Sequence, residues 1–192
     1  MDPGRPRRCT GLDAIERLAQ GFGPPFFPIR PDELRGRWRF HAPEAGPVPV
    51  AVEATRVVVG PVLHKGGPTV GVRVERAGRT FAYLPDHCIG RATAAQLDQA
   101  KTLCRDVDVL FHDAQHLEAE RAMADDFGHC TVGDAVDLAA SAGAHRLVLV
   151  HHAPGRDDRA VDTVLAEAGR HARRWAPDLR VQVGREGEVV PI

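Results

Sequence analysis

The sequence has no apolar run long enough to span a bilayer, and its first residues, MDPGRPRRCTG, lack the apolar core of a secretion signal. We therefore expect a cytoplasmic protein with no membrane partner. The chain has four cysteines, Cys9, Cys88, Cys104 and Cys130. They lie far apart and form no CxxC pair, which argues against a zinc ribbon and against a dense disulfide framework.

Neither sign of charge is in excess, since 25 basic and 26 acidic side chains leave a formal net charge of −1. The sequence thus gives no strong signal for binding to nucleic acid or to an anionic membrane. A small phosphorylated substrate is still compatible with this balance. Aromatic residues are also few, with one tyrosine, but there are ten histidines. Histidine is the commonest metal ligand and the usual acid–base group near neutral pH, so the placement of the histidines matters.

Hydrophobic periodicity predicts alternating strands and helices after an irregular front segment. The predicted strands are 55–63, a hairpin over 69–84 that turns at Ala77-Gly78, 107–111, 147–150, 179–183 and 188–192. The predicted helices are 12–22, 93–104, 131–143 and 157–175, and a strand–turn–strand unit is expected within 38–52. This order is typical of an α/β fold. We expect residues 1–23 to form an arm with a helix and residues 24–192 to form the main domain.

Histidine or aspartate follows four of the predicted strands. These residues are His64, Asp86 with His87, His112 with Asp113, and His151 with His152. In α/β sheets, ligands bind outside the carboxyl ends of the strands. Imidazole and carboxylate groups are the usual ligands for zinc, manganese or iron, and a carboxylate can bridge two metal ions. The pattern therefore predicts a metal site at one edge of a sheet.

Three segments resemble motifs of the metallo-β-lactamase superfamily, in the order in which that family has them. HKGGPTVGVRVERAGRTFAYLPDH is similar to its H-x5–6-GYRI…Y-x-TD stretch, and LFHDAQ to a strand end of the same family. FGHCTVGDAVDLAASAGAHRLVLVHHAP resembles its G-H-S-T…LVL-x-H-x-x-P region. The resemblance covers roughly residues 24–170 and is nearest to the phosphodiesterase-like and tRNase-Z-like hydrolases.

The resemblance implies a role for each of five residues. His64 and His151 match metal ligands, and Asp86 matches the carboxylate that bridges two metal ions. His129 matches the histidine that assists the leaving group in phosphodiester hydrolysis, and Asp113 matches the acidic residue that orients a neighbouring histidine. The implied cofactor is zinc, or manganese or iron, in a two-metal site. The implied substrate is a small molecule or phosphodiester. Cys130 stands where the family usually has serine, and Ala153 also departs from a common serine.

The family's H-x-H-x-D-H motif does not occur in the sequence. The expected fold is therefore an incomplete αββα sandwich, mostly its C-terminal half, with an incomplete metal site. This leaves two hypotheses from different classes. One is a metal-dependent hydrolase that acts through a metal-bound hydroxide. The other is a truncated, inactive remnant or partner-binding half-domain, which can form a homodimer to cover its sheet.

Each candidate also has a plain structural interpretation. His64 can be a loop residue before Gly66-Gly67, and Asp86 a turn residue after a proline. His129 can simply precede a helix cap, whereas His151, at the end of an apolar strand, fits a ligand best. Among the other histidines, His112 and His116 are predicted to be solvated, His152 to pack or support a ligand, and His41, His145 and His171 to lie at the surface.

Overall fold

A computed structural model describes residues 11–36, 48–52 and 54–192. The chain divides into two compact units, Met1–Glu44 and Ala45–Ile192. In the described part of the first unit, helix α1 covers Gly11–Gly21, which confirms the predicted helix, and a single 3-10 turn follows at Pro31–Glu33. The proposed division into residues 1–23 and 24–192 stays a prediction.

The second unit contains a seven-stranded sheet in which the spatial order of the strands equals their order in the chain. The strands are β1 Val48–Val52, β2 Thr55–Val62, β3 Thr69–Arg76, β4 Arg79–Leu84, β5 Val109–Asp113, β6 Arg146–Val150 and β7 Arg180–Val183. Neighbours from β1 to β4 are antiparallel, and neighbours from β4 to β7 are parallel. As a result β2, β4, β5 and β6 point in the same direction, and their carboxyl ends meet at one edge of the sheet.

The helices of this unit connect the parallel strands. They are α2 Ala94–Cys104, α3 Arg121–Phe127, α4 Val132–Ser141 and α5 Asp158–Trp175. Helix α2 packs on β2 to β4, α4 packs on β5 and β6, and α5 packs on β7 and on α4. The core between helices and sheet includes Leu84, Leu103, Leu110, Leu138 and Leu147, all at most 2% exposed. No helix in the described part of the chain combines the length and apolarity needed to cross a bilayer.

The opposite face of the sheet is apolar and only partly covered. Register pairs Val57 with Val74, and Val74 with Phe81, in one row across β2, β3 and β4. The neighbouring row of side chains across the same three strands reaches Tyr83 on β4. The Tyr83 side chain is 44% exposed and lies edge-on to Phe111, with 6.5 Å between ring centroids. This is the face that the homodimer hypothesis would cover, and that hypothesis stays a prediction.

Two strand predictions in the second unit are wrong, and one helix was missed. The segment 188–192 is not a strand. Val189 there is 87% exposed and Pro191 has no backbone N–H to donate to a ladder. Strand β5 begins and ends two residues later than expected, so it includes His112 and Asp113. Helix α3 was not predicted at all. The first half of the expected unit at 38–52 lies outside the described residues, and its second half forms β1.

Candidate metal centre

Five side chains predicted from the sequence converge at the edge where β2, β4, β5 and β6 end. His64 follows β2, Asp86 follows β4, and His151 follows β6 directly, while Asp113 is the last residue of β5. The fifth, His129, comes from the connection between α3 and α4. The shared edge explains the convergence, since strands that point the same way bring their carboxyl ends together.

The donor atoms of three of these residues lie close enough to share an ion. His64, Asp86 and His129 each offer a ligand atom within 4.8 Å of the other two. His151 joins them, because its Nε2 lies 3.5 Å from Oδ1 of Asp86. The His129 ring lies between its neighbours, with its centroid 4.8 Å from that of His64 and 4.9 Å from that of His151. Imidazole nitrogen and carboxylate oxygen are the donor types that zinc, manganese and iron accept, so these residues fit a divalent metal.

The ring of His64 is held by the backbone. Its Nδ1 donates to the carbonyl oxygen of Gly128 at 2.6 Å, which leaves Nε2 free as a ligand atom. Gly128 ends helix α3 in the left-handed conformation, with φ at 84°. A Cβ at this position would lie 2.5 Å from the backbone nitrogen of Lys65, so only glycine allows this approach. A metal-binding histidine typically donates its second ring nitrogen to a carbonyl or carboxylate in this way.

Asp113 holds the ring of His129. Its carboxylate is fully buried and accepts from Nδ1 of His129 at 2.7 Å, from the backbone nitrogen of His87 at 3.1 Å and from that of Gln115 at 2.9 Å. The hydrogen bond and negative charge of Asp113, together with the charge of Asp86, raise the pKa of His129, although partial burial opposes this. The arrangement fixes the Nδ1–H tautomer of His129 and leaves its Nε2 free.

His151 has an unusual backbone conformation. Its φ is 59°, in the left-handed region that residues with a Cβ rarely occupy. This conformation costs about 1–2 kcal/mol for an ordinary residue. Such strain is often found at functional sites, where the surrounding structure fixes it. Here it occurs directly after β6, at a residue whose Nε2 lies 3.5 Å from Oδ1 of Asp86.

Two histidines that were expected to be solvated are buried instead. His112 is 0% exposed because β5 extends through it, which places it beside Leu84 in the parallel ladder. His116 is 4% exposed because it forms an isolated parallel bridge with Thr131. Side chains alternate between the two faces of β5, so the sequence could have shown that His112 lies on the same helix-covered face as Leu110. The bridge of His116 depends on tertiary structure and could not be predicted in this way.

The other histidines are closer to their predictions. His152 lies behind the edge, with Nε2 3.2 Å from the carbonyl oxygen of Gly184, which fits a packing role. His145 is exposed, as expected. His171 is partly buried and pairs with Asp137 at 2.8 Å, and His41 lies outside the described residues. Sequence analysis assigned no role to His87, which is 1% exposed and contacts His112.

Comparison with known proteins gives matches over most of the chain. A family model described as "Beta-lactamase superfamily domain" matches residues 4–152. The chain is 36% identical over 136 residues to Ribonuclease Z of Geobacillus kaustophilus, covering 64% of this chain and 43% of that protein. It is 29% identical over 163 residues to Ribonuclease Z of Kineococcus radiotolerans, covering 81% of this chain and 49% of that protein. The chain thus spans less than half the length of these curated relatives.

Solved structures show a similar fold. The short form of human tRNase Z superposes with a TM-score of 0.55 at 24% identity, over 74% of this chain and 45% of that one. The metallo-beta-lactamase fold protein YhfI from Bacillus subtilis superposes with a TM-score of 0.58 at 16% identity, over 73% of this chain and 51% of that one. At these identities the likeness concerns the fold alone. The sheet and helices described above therefore correspond to part of those structures.

Proposed function

The chain belongs to the metallo-β-lactamase superfamily, in its tRNase-Z-like subgroup, and from this premise we propose that it forms a metal-dependent centre for hydrolysis of phosphodiester bonds in RNA. The observation that carries the proposal is the convergence of His64, Asp86, His129 and His151 at one edge of the sheet. The RNA substrate is supported by the names of the relatives, which are ribonucleases Z.

In this proposal His64, Asp86 and His151 hold the metal. The hydrogen bond to Gly128 leaves Nε2 of His64 available. The Asp86 carboxylate has an oxygen within 4.8 Å of a ligand atom of His64, and its Oδ1 lies 3.5 Å from Nε2 of His151. A divalent ion of the zinc, manganese or iron class would act there as a Lewis acid towards a phosphoryl oxygen. The protein's own contribution is to fix the three donor groups before substrate arrives.

His129 is proposed as the proton donor to the leaving oxygen. Asp113 anchors Nδ1, so the proton to be transferred is the one on Nε2, on the side of His64 and His151. The carboxylates of Asp113 and Asp86 favour the protonated ring by raising its pKa. A nitrogen that binds a metal carries no proton, so the role of donor excludes the role of ligand for the same atom.

Basic side chains that can bind the substrate phosphate lie beside His64. A cavity of about 250 Å³ is lined by His64 together with Lys65, Arg91 and one acidic residue, Asp125. Lys65 is exposed, and its ammonium lies 4.8 Å above the ring of Phe127. Cationic groups next to a metal-binding histidine suit a phosphodiester, even though the net charge of the whole chain is close to zero.

The test measures hydrolysis of bis(p-nitrophenyl) phosphate and of a single-stranded RNA by the full 192-residue chain, with added Zn²⁺ or Mn²⁺. We expect metal-dependent turnover that falls roughly 100-fold or more in His129→Ala, with metal binding retained. His145→Ala is the matched control, because this exposed histidine lies outside the centre, and it should keep full activity. No turnover of either substrate with any metal overturns the proposal.

A second candidate is a metal- or partner-binding unit without turnover. It needs only the grouped donor atoms of His64, Asp86 and His129, which lie within 4.8 Å of one another. The same assay distinguishes the two, since this candidate predicts metal binding that depends on His64 and Asp86 and no hydrolysis at all.

A further inference from the structure

A second group of potential ligands lies inside the protein, behind the candidate metal centre. His87, His112 and Cys130 are 1%, 0% and 0% exposed, and each offers a ligand atom within 4.8 Å of the other two. Each one is the immediate chain neighbour of a residue at the edge, namely Asp86, Asp113 and His129. The second group therefore lies on the same three segments as the first but is enclosed by the core.

The hydrogen bonds in this group leave one nitrogen without a partner. Nδ1 of His112 donates to the carbonyl oxygen of Asp113 at 2.7 Å, so Nε2 of His112 carries a lone pair. That Nε2 accepts a hydrogen bond from Nδ1 of His87 at 2.9 Å, a bond that a metal ion on either nitrogen would replace. The remaining nitrogen of His87, Nε2, is buried and has no hydrogen-bond partner among the residues that the structure describes. Buried polar atoms nearly always have partners, so this nitrogen needs an explanation.

The donor types and their spacing suit a metal ion. Two imidazoles and a thiolate are ligands that zinc accepts, with bonds of about 2.0–2.3 Å. Ligand atoms on one tetrahedral ion are about 3.3–3.8 Å apart, and the ligand atoms that these three residues offer all lie within 4.8 Å of one another. The bond from His112 to the carbonyl of Asp113 is also the kind that orients a metal-binding histidine.

We propose that His87, His112 and Cys130 bind a structural ion of the zinc class, distinct from the ion at the edge of the sheet. On binding, the bond between the sulfur of Cys130 and the metal forms, the S–H bond breaks and the proton passes to solvent. The ion links the connection after β4, the end of β5 and the loop before α4. These are the segments that carry Asp86, Asp113 and His129. The buried ion therefore holds the three residues of the candidate metal centre in position from the core side.

Cobalt substitution tests the proposal on the full chain. The protein is stripped with a chelator and titrated with Co²⁺, and the near-ultraviolet sulfur-to-cobalt charge-transfer band is recorded together with the bound metal. We expect the band in the unmodified protein and its loss in Cys130→Ser, with one fewer equivalent of metal bound. Cys88→Ser is the matched control, because Cys88 is also buried but lies outside the cluster, and it should keep the band.

The readout separates this proposal from the proposed function. The residues at the edge are imidazoles and carboxylates, so their metal gives no sulfur band, and His64→Ala should retain it. His87→Gln provides a second variant in case Cys130→Ser fails to fold, and it should also weaken cobalt binding and the band. Absence of the band from the unmodified protein at all Co²⁺ ratios, or its persistence in a folded Cys130→Ser, overturns the proposal.

Discussion

The Nδ1 atom of His64 donates to the carbonyl oxygen of Gly128 across 2.6 Å, which joins the segment after β2 to the end of α3. The bond requires the left-handed conformation of Gly128 and its close approach to Lys65. The orientation of a candidate ligand is thus determined by a glycine 64 positions away in the chain.

We predict that Gly128→Ala reduces metal affinity by about 10-fold or more, the usual effect of losing a group that orients a ligand. The new Cβ would lie 2.5 Å from the nitrogen of Lys65, so the loop must move and His64 moves with it. Isothermal titration with Zn²⁺ measures the effect. Gly155→Ala is the control, since Gly155 has φ of 85° but no neighbour within 4 Å in the described part of the chain. It should lose about 1–2 kcal/mol of stability and keep its metal affinity. Equal affinities for the two variants would contradict this account.

Replacing Asp113 by Asn should change the tautomer of His129. The amide can present an NH2 group to Nδ1, so the ring is no longer held as the Nδ1–H form that the carboxylate selects. Nitrogen NMR of the labelled histidine reports the tautomer directly. Where turnover is present, we expect it to fall roughly 10–100-fold.

Asp137→Asn provides the matched control for that variant. Asp137 also pairs with a histidine, His171, at 2.8 Å, but its side chain is 64% exposed and lies outside the centre. Turnover and the NMR signals of His129 should stay as in the unmodified protein. An unchanged His129 tautomer in Asp113→Asn would show that Asp113 does not orient this ring.

Thr131 caps the helix that follows His129, and its loss should destabilise the protein. Its hydroxyl accepts from the backbone nitrogen of Asp134 and contacts Arg121 at 2.7 Å, and the residue is fully buried. We expect Thr131→Val to lower the free energy of unfolding by about 1–2 kcal/mol, measured by urea denaturation. Thr163→Val, at an exposed position within α5, should change it by less than about 0.5 kcal/mol. Similar losses for both would argue against a capping role.

Local signals in the sequence were sufficient for much of the fold. The predicted helices 93–104 and 131–143 begin at Thr93 and Thr131, and each of these threonines caps its helix with a capping box. The hairpin turn at Ala77-Gly78 separates β3 from β4 as expected. These features depend on contacts within a few residues, which is why a pattern can show them. The resemblance to the metallo-β-lactamase superfamily is confirmed by the family match over residues 4–152.

Features that depend on distant contacts were not predictable in the same way. Helix α3 has only seven residues, and its end is fixed by Gly128, whose conformation matters because of Lys65. The burial of His116 accompanies its isolated bridge with Thr131, fifteen positions later in the chain, which no local pattern shows. By contrast, the strand ends did predict that His64 and His151 lie at one edge of the sheet, and the shared direction of β2 and β6 brings them there.

Asp108 should give the protein a specific dependence of stability on pH. Its Oδ2 accepts from the backbone nitrogen of Thr80 at 2.7 Å and from the Thr80 hydroxyl at 3.2 Å, which joins the start of β4 to the residue before β5. The backbone hydrogen bond, followed by the hydroxyl and the charge of Arg79, lowers the pKa of Asp108 from its ordinary value of 3.8, against the effect of burial.

A carboxyl group whose pKa is lower in the folded state stabilises the protein fully above its unfolded pKa, and this contribution is lost as the pH falls through the folded pKa. Asp108→Asn should therefore cost about 1 kcal/mol at pH 7, and the difference from the unmodified protein should shrink as the pH falls below the ordinary value of 3.8. Urea denaturation at a series of pH values measures both proteins. Asp98→Asn, at an exposed position on α2, is the control and should match the unmodified protein throughout. The difference in free energy of unfolding between Asp108→Asn and the unmodified protein could instead stay constant down to the lowest pH. That result would mean that the charge of Asp108 contributes nothing to stability and that only the shape of the side chain matters at the start of these strands.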